Sequence, residues 1–326
     1  MKKISIISGC YNEEGNILAL YEELKEVFNS LPQYEWEVVF ADNCSTDRTV
    51  ELLRSIAEKD RRIKIILNMS NYGPDRSITN AMFSACADAV ILMASDLEDP
   101  PEIIPQFVKA WEDGYLVVMG QYTEKKETPF LRFCRKTYYK VIDAFSDIKL
   151  ENNITGFGLY DMSVIDSIRE LGEYSVVLRF LCAELGYKIK YIPFDKPKRK
   201  TGKSSYSIIK YYRYAIETLV LTSHAPLHLA CMIGFFMSAV SILAGLVYLI
   251  LKLKYWYEFN AGSAPMVIGM FFLGGVQLFF IGIIGEYLSS AIKRVTKRPF
   301  VIENERINFD GYGKPGKPLN ETNGDE

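Results

Sequence analysis

Apolar positions along the chain fall into three regimes, and each predicts a different kind of element. In the first, short apolar runs alternate with stretches in which apolar residues recur every three or four positions, the pattern of strands and amphipathic helices in turn. Lys3–Ser8 reads as a strand, and Asn16–Phe28 follows with helical spacing through Ile17, Leu20, Leu24 and Phe28. Glu35–Ala41 repeats the move with Trp36, Val38, Val39 and Phe40, and leads into a helix over Asp47–Lys59 that Ser45 or Thr46 can cap. Ile63–Leu67 is a third strand, with a helix near Asp75–Ala85. Ala89–Ala94 is apolar on both faces, as expected of a strand inside a parallel sheet. Four such βα units argue for a doubly wound α/β sheet whose loops converge at the strands' carboxyl ends.

The pattern then becomes less regular. Tyr115–Tyr122 reads as a fifth strand, Pro129–Phe145 as a helix, and Asn152–Asp161 as a tight turn into a strand near the sheet's edge. Helices over Ser163–Leu171 and Ser175–Leu185 and a strand over Lys188–Phe194 complete this regime. In the second regime, Tyr206–Ser223 is apolar around most of a helix, while Lys210, Arg213 and Glu217 form a single polar stripe. That is the arrangement of a helix lying in a membrane interface. In the third, residues 225–251 carry no charge apart from His228, and 261–285 carry none. Each is long enough to cross a hydrocarbon core of about 30 Å at about 1.5 Å per residue. The expected organisation is therefore a domain over 1–200, a loop and interfacial helix over 201–223, spans over 225–251 and 261–288, and a basic segment with a disordered tail over 289–326.

Charge orients this plan. Lys and Arg are dense from Lys198 to Arg213 and again at Lys293, Arg294, Lys297 and Arg298, against Lys252 and Lys254 between the spans. Both ends and the large domain are accordingly expected in the cytoplasm. A formal net charge of -2 over 326 residues gives no global argument for nucleic acid. The cysteines Cys10, Cys44, Cys86, Cys134, Cys182 and Cys231 form no C-x-x-C pair, so neither a zinc site nor a disulfide framework is suggested. The amino terminus runs directly into a strand and does not read as a secretory signal.

Candidate chemistry sits at the strand ends. Asp96, Glu98 and Asp99 follow the fourth strand, and hard oxygens at such a turn can hold a divalent cation against a diphosphate. An ordinary strand-to-helix turn, with Pro101 at the first helical position and Glu102 beside the helix N-terminus, explains the same residues. No Gly-rich dinucleotide or P-loop pattern is present, which leaves phosphate to metal and side chains. Arg132, Lys136 and Lys140 line one helical face with Arg135 beside them, either as a solvated surface or as a basic face toward lipid phosphate. The run from Lys196 to Tyr206 has five Lys/Arg within eight residues, and is either a linker or a phosphate-binding loop.

Taken together, YNEE at 11–14, DNCSTDRT at 42–49, NYGPDRSIT at 71–79, SDLEDPPE at 95–102, TGFGLYD at 155–161 and RKTGKSSY at 199–206 resemble the family-2 glycosyltransferases. The likeness is to polyprenyl-phosphate glycosyltransferases related to dolichyl-phosphate mannose synthase, in particular the bacterial membrane enzymes of O-antigen modification. The resemblance implies a GT-A Rossmann-like fold, a nucleotide-sugar donor, a polyprenyl-phosphate acceptor, Mg²⁺ or Mn²⁺, and residence in the bacterial inner membrane. It extends to a small membrane flippase as a further partner. It places Tyr11, Asn12, Glu13, Asp42, Asp75 and Arg76 at the nucleotide, with Asp42 on the base. It places Asp96 and Glu98 at the metal, Asp96 and Arg199 at the reaction, and Lys125, Arg132, Arg135 and Ser204 at the acceptor phosphate. Ala94 stands where the family has the first acid of its D-x-D, and Gly156 and Gly158 where relatives often carry Asp and Arg. Ser241 with Gly245, and Gly285 with Ser289, permit close helix packing and a homo-oligomer. A processive polysaccharide synthase and a catalytically silent membrane scaffold are the competing readings.

Overall fold

A computed structural model describes residues 1–123, 153–172, 178–195, 225–255, 263–295 and 301–309. The expected basic helix, the Lys196–Tyr206 loop, the interfacial helix and residues 310–326 lie outside these, and with them Lys125, Arg132, Arg135, Arg199 and Ser204. The chain divides into two compact units, one on residues 1–129, 150–205 and 296–326 and the other on 130–149 and 206–295.

The first unit is built on an eight-stranded sheet. Its strands are β1 (Lys2–Cys10), β2 (Tyr34–Asp42), β3 (Ile63–Asn68), β4 (Ala89–Ala94), β5 (Val117–Tyr122), β6 (Ile154–Asp161), β7 (Ile189–Phe194) and β8 (Glu303–Ile307). The spatial order is β7-β5-β6-β4-β1-β2-β3-β8. β1 pairs in parallel with both β2 and β4, and β2 with β3, whereas β6 runs antiparallel between β4 and β5. The helices are α1 (Ile17–Asn29), α2 (Thr49–Ala57), α3 (Pro74–Phe83), α4 (Ile104–Glu112), α5 (Met162–Leu171) and α6 (Leu178–Glu184).

Strand alternation explains why both faces of the sheet are dry. Ile6, Val38, Ile65 and Ile91 face one core with Leu20 and Leu24 of α1, Leu53 of α2 and Phe107 of α4. Their neighbours Ile7, Val39, Ile66 and Leu92 face the other, with Met82 of α3 and Val164 and Ile168 of α5. Each strand therefore needs apolar residues at consecutive positions, which is why the runs read as continuous.

Three expectations are corrected. The strand after Asn152 lies inside the sheet, not near its edge, and the close passage of its neighbours explains its composition. A Cβ on Gly158 would stand 2.3 Å from the Val118 carbonyl oxygen, a backbone atom that cannot step aside. Neither Ser45 nor Thr46 caps α2. Arg48 holds the cap position with no side-chain hydrogen bond, because Ser45 is committed to the loops described below. Finally, the expected disordered tail contains β8, an antiparallel strand on the edge of β3.

The second unit contains α7 (Ala225–Lys254) and α8 (Ser263–Val295), of 30 and 33 residues. Both are long and apolar enough to cross a membrane. Only 6% of Ala230–Val247 and none of Phe272–Ser289 is buried, so neither stretch is a core helix of a soluble fold. Phe235, Phe236, Phe279 and Ile281 stand exposed along them, an apolar surface for which hydrocarbon is the matching solvent.

Candidate active site

The order β3-β2-β1-β4 means that the chain runs outward from β1 and then returns to its other side. The crevice at such a reversal, at the carboxyl ends of β1 and β4, is where ligands bind in open α/β sheets. Backbone strain collects there. Asn12, Cys44 and Leu97, in the loops after β1, β2 and β4, have φ of 58°, 63° and 58°. Left-handed backbone costs a non-glycine residue on the order of 1–2 kcal/mol, so neighbours must hold each of these loops in shape.

The first two loops hold each other. The Asn12 amide donates to Ser45 Oγ at 2.9 Å, and Asn12 Oδ1 accepts from the Thr46 amide at 2.8 Å. The Glu13 amide donates to Thr49 Oγ1 at 2.8 Å, the Glu14 amide to Asp47 Oδ2 at 3.2 Å, and the Arg48 amide returns to Glu14 Oε2 at 3.0 Å. Glu13 also receives the side-chain amide of Asn16 at 2.6 Å. Tyr11 is left 46% exposed at the mouth.

Asp42 lies beneath this lattice and is 1% exposed. One carboxylate oxygen accepts the Ser45 amide at 3.0 Å, and the other accepts the Ser45 hydroxyl and the Cys10 thiol, whose sulfur lies 3.9 Å away. Its carboxylate organises the loop, a role the resemblance did not indicate. Burial first, and then the carboxylates of Asp42, Glu13 and Asp47, push the Cys10 thiol well above its ordinary range, so it stays a neutral donor. Partial burial works against ionisation of Asp47. Hydrogen bonds from the Thr49 side chain and from backbone amides, including Glu14's, outweigh it and hold this carboxyl below its ordinary value.

The acidic turn alternates in and out. Asp99 is 5% exposed and accepts the Ala94 amide at 2.8 Å, while Ser95 is buried and donates to the Gly9 carbonyl at 2.9 Å, tying β4 to β1. Asp96 and Glu98 are half-buried between these inward residues, and the Glu98 amide donates to Asp96 Oδ1 at 3.1 Å. The turn is built from within, Asp99 accepting the Ala94 amide and Asp96 accepting the Glu98 amide.

Asp75 is exposed in the first turn of α3, and the Arg76 guanidinium lies 4.9 Å from the Tyr72 ring. Beneath them is a network that sequence reasoning missed. Buried Asn68 donates to Asn43 Oδ1 at 3.1 Å and to Ser77 Oγ at 2.8 Å, and Asn43 donates to the Gly73 carbonyl at 3.3 Å. Gly73 has φ 85° immediately before Pro74, a backbone that glycine alone adopts without strain. A polar residue closing an apolar strand, as Asn68 closes β3, was the available signal.

The family model for glycosyl transferase family 2 matches residues 5–169, which spans β1 through α5 and every loop described above. The chain belongs to this family. It is a glycosyltransferase whose sheet has the mostly parallel GT-A arrangement. An uncharacterized glycosyltransferase of Synechocystis sp. is 32% identical over 98% of this chain and 99% of its own length. Another from Bacillus subtilis, also uncharacterized, is 32% identical over 94% and 97%. A bactoprenol glucosyl transferase of Shigella phage SfV is 29% identical over 93% and 99%. These similarities run past the family-2 domain and through both long apolar helices.

Proposed function

We propose that this glycosyltransferase transfers a single glucose from a uridine diphosphate donor to a membrane polyprenyl phosphate, inverting the anomeric centre, at the cytoplasmic face of a bacterial inner membrane. The observation that carries the reading is the end-to-end similarity to a bactoprenol glucosyl transferase, apolar helices included. A water-soluble acceptor would give no reason to join this crevice to two such helices in one chain.

The residues present suit the chemistry. A phosphomonoester has a second pKa of about 6, so the acceptor phosphate is largely a dianion at neutral pH and attacks without a strong general base. The neutral, buried Cys10 fits a site that uses no protein nucleophile. What remains is to position two anions and compensate their charge. In this reading Tyr11, Asn12, Glu13, Asp75 and Arg76 line the nucleotide pocket, with Asp42 shaping it from below. Lys125, Arg132, Arg135, Arg199 and Ser204 meet the acceptor phosphate and the closing loop.

Among the described residues no group of three or more His, Cys, Asp or Glu gathers as a complete metal-holding set. Asp96 and Glu98 are half-buried carboxylates two residues apart in one turn, and such a donor set suits a Mg²⁺ or Mn²⁺ ion that shares its shell with a substrate diphosphate and water. When bound, such an ion would neutralise charge on the departing diphosphate.

The reading is tested by incubating purified full-length protein in detergent or vesicles with undecaprenyl phosphate and a panel of nucleotide sugars. Lipid-linked glucose formed from UDP-glucose is the expected product. Sugar incorporation only into a polymer, or none from any donor, would refute it.

A further inference from the structure

The Asn43–Asn68–Ser77 network holds the β3–α3 loop from inside the sheet. A second set of contacts reaches α2, β3 and α3 from the edge, one of them at the first amide of that loop, and all of these come from the segment that follows α8. The Met69 amide, first in the loop, donates to the Ile302 carbonyl at 2.9 Å, where the β3–β8 register shifts between Leu67 and Asn68. Asn80 of α3 donates to Glu303 Oε1 at 2.6 Å, and Arg306 donates to Ser84 Oγ at 3.0 Å. Arg54 of α2 forms a two-pronged ion pair with Glu305. Asn308, with φ 62°, donates to the carbonyls of Ala57 and Ile63 at 2.8 Å each.

We infer that β8 is a positioning element for the nucleoside diphosphate: it fixes the β3–α3 loop so that Tyr72, Asp75 and Arg76 meet the donor. This rests on the reading of Asp75 and Arg76 as nucleotide residues. An edge cover needs only a strand paired along β3. Here the contacts extend beyond the pairing, to the first amide of the loop and to the helix that carries Asp75 and Arg76. The charged side chains of β8 engage Arg54 of α2, Asn80 and Ser84 at the end of α3, and one another through the Arg306–Glu303 ion pair, so β8 bears on the site through what it holds.

The test uses the full-length protein with Glu305→Pro and Arg306→Pro together. Successive strand N–H groups point to opposite sides, so one of two adjacent prolines removes a ladder donor whichever way the register falls. Hydrogen exchange at the Met69 amide should quicken. The dissociation constant for uridine diphosphate should rise about tenfold or more, the scale on which small misplacements act, while KM for the lipid acceptor stays unchanged. Faster Met69 exchange with unchanged nucleotide affinity would overturn the inference.

A milder pair guards against general unfolding. Arg54→Glu and Glu305→Arg should each weaken uridine diphosphate binding by about two- to fivefold, as a partly exposed ion pair allows. The double charge swap should restore it, and failure to restore would count against β8. If Asp75→Ala with Arg76→Ala left nucleotide binding intact, the donor-pocket reading would fall, independently of how β8 grips β3.

Discussion

Replacing Asp42 by Asn tests whether this carboxylate acts by shaping the pocket. The substitution keeps the volume of a side chain that is 1% exposed but exchanges one acceptor oxygen for a donor. That group would then face the Ser45 amide or hydroxyl, which both donate to Asp42 now. Losing one charge-assisted hydrogen bond costs about 1.5–3 kcal/mol, and a buried group left facing a like partner adds to it. Ser45→Ala removes the hydroxyl that links Asp42 to the Asn12 amide, at a cost of about 1–3 kcal/mol. Both substitutions destroy the same hydrogen bond, so the double variant should fall short of the sum by about 1–2 kcal/mol, roughly a factor of five to thirty in a dissociation constant. The assay is equilibrium binding of uridine diphosphate to purified full-length protein for wild type, both single variants and the double. Effects that add within about 0.5 kcal/mol would refute the reasoning, because two independent contacts, one of them from Asp42 to the base, would then explain the data better.

Other outcomes follow from the same structure. Asp96→Asn should lower turnover on the order of a hundredfold and alter the dependence on added Mg²⁺ or Mn²⁺, and wild-type rates with an unchanged metal profile would remove it from the metal site. Gly158→Ala should destabilise the first unit by about 1–3 kcal/mol or more in thermal unfolding, because its Cβ would meet the Val118 backbone oxygen. Asp47 has its folded pKa held below the ordinary 3.8, so its contribution to stability is present above that value and is lost as pH falls through the folded pKa. Asp47→Asn should flatten this acid limb in a pH series of unfolding midpoints, and an unchanged limb would rule the residue out. Charge reversal at Arg132 and Arg135 should raise KM for the lipid acceptor far more than KM for the nucleotide sugar, and an equal rise in both would move these arginines to the donor side.

The elements legible in the sequence were those whose burial alone fixes their pattern. β1 to β4 press apolar runs into both cores and α1 to α3 an apolar stripe into one, so periodicity found them to within a few residues. β6 was found but misplaced, because Gly156 and Gly158 look like turn residues until the neighbouring β5 backbone is seen against Gly158. β8 was missed because Glu303–Ile307 is polar: its strand is specified by pairing with β3 and by Arg54, Asn80 and Ser84, partners more than two hundred residues away. At the strand ends, sequence named residues in each loop but not the hydrogen bonds that divide the work among them. The acids at 96, 98 and 99 look alike in the chain, and the structure separates them by burial, with Asp99 inside and bonded to the Ala94 amide and Asp96 and Glu98 half-buried. Asp42 is the same lesson, since nothing in the sequence marks a carboxylate that closes a loop.

The position of β8 also sets an order of events during synthesis. β3 is made early, yet its edge partner leaves the ribosome only after both long apolar helices have been translated. At about 5–20 residues per second, the interval between Asn68 and Glu303 lasts roughly 10 to 50 s. Throughout that time the nascent sheet shows an unpaired row of amides and carbonyls along Ile63–Asn68, the kind of edge on which other strands add. The sheet therefore closes last along β3, and a ribosome that stalls within the apolar helices releases a domain with that edge still open.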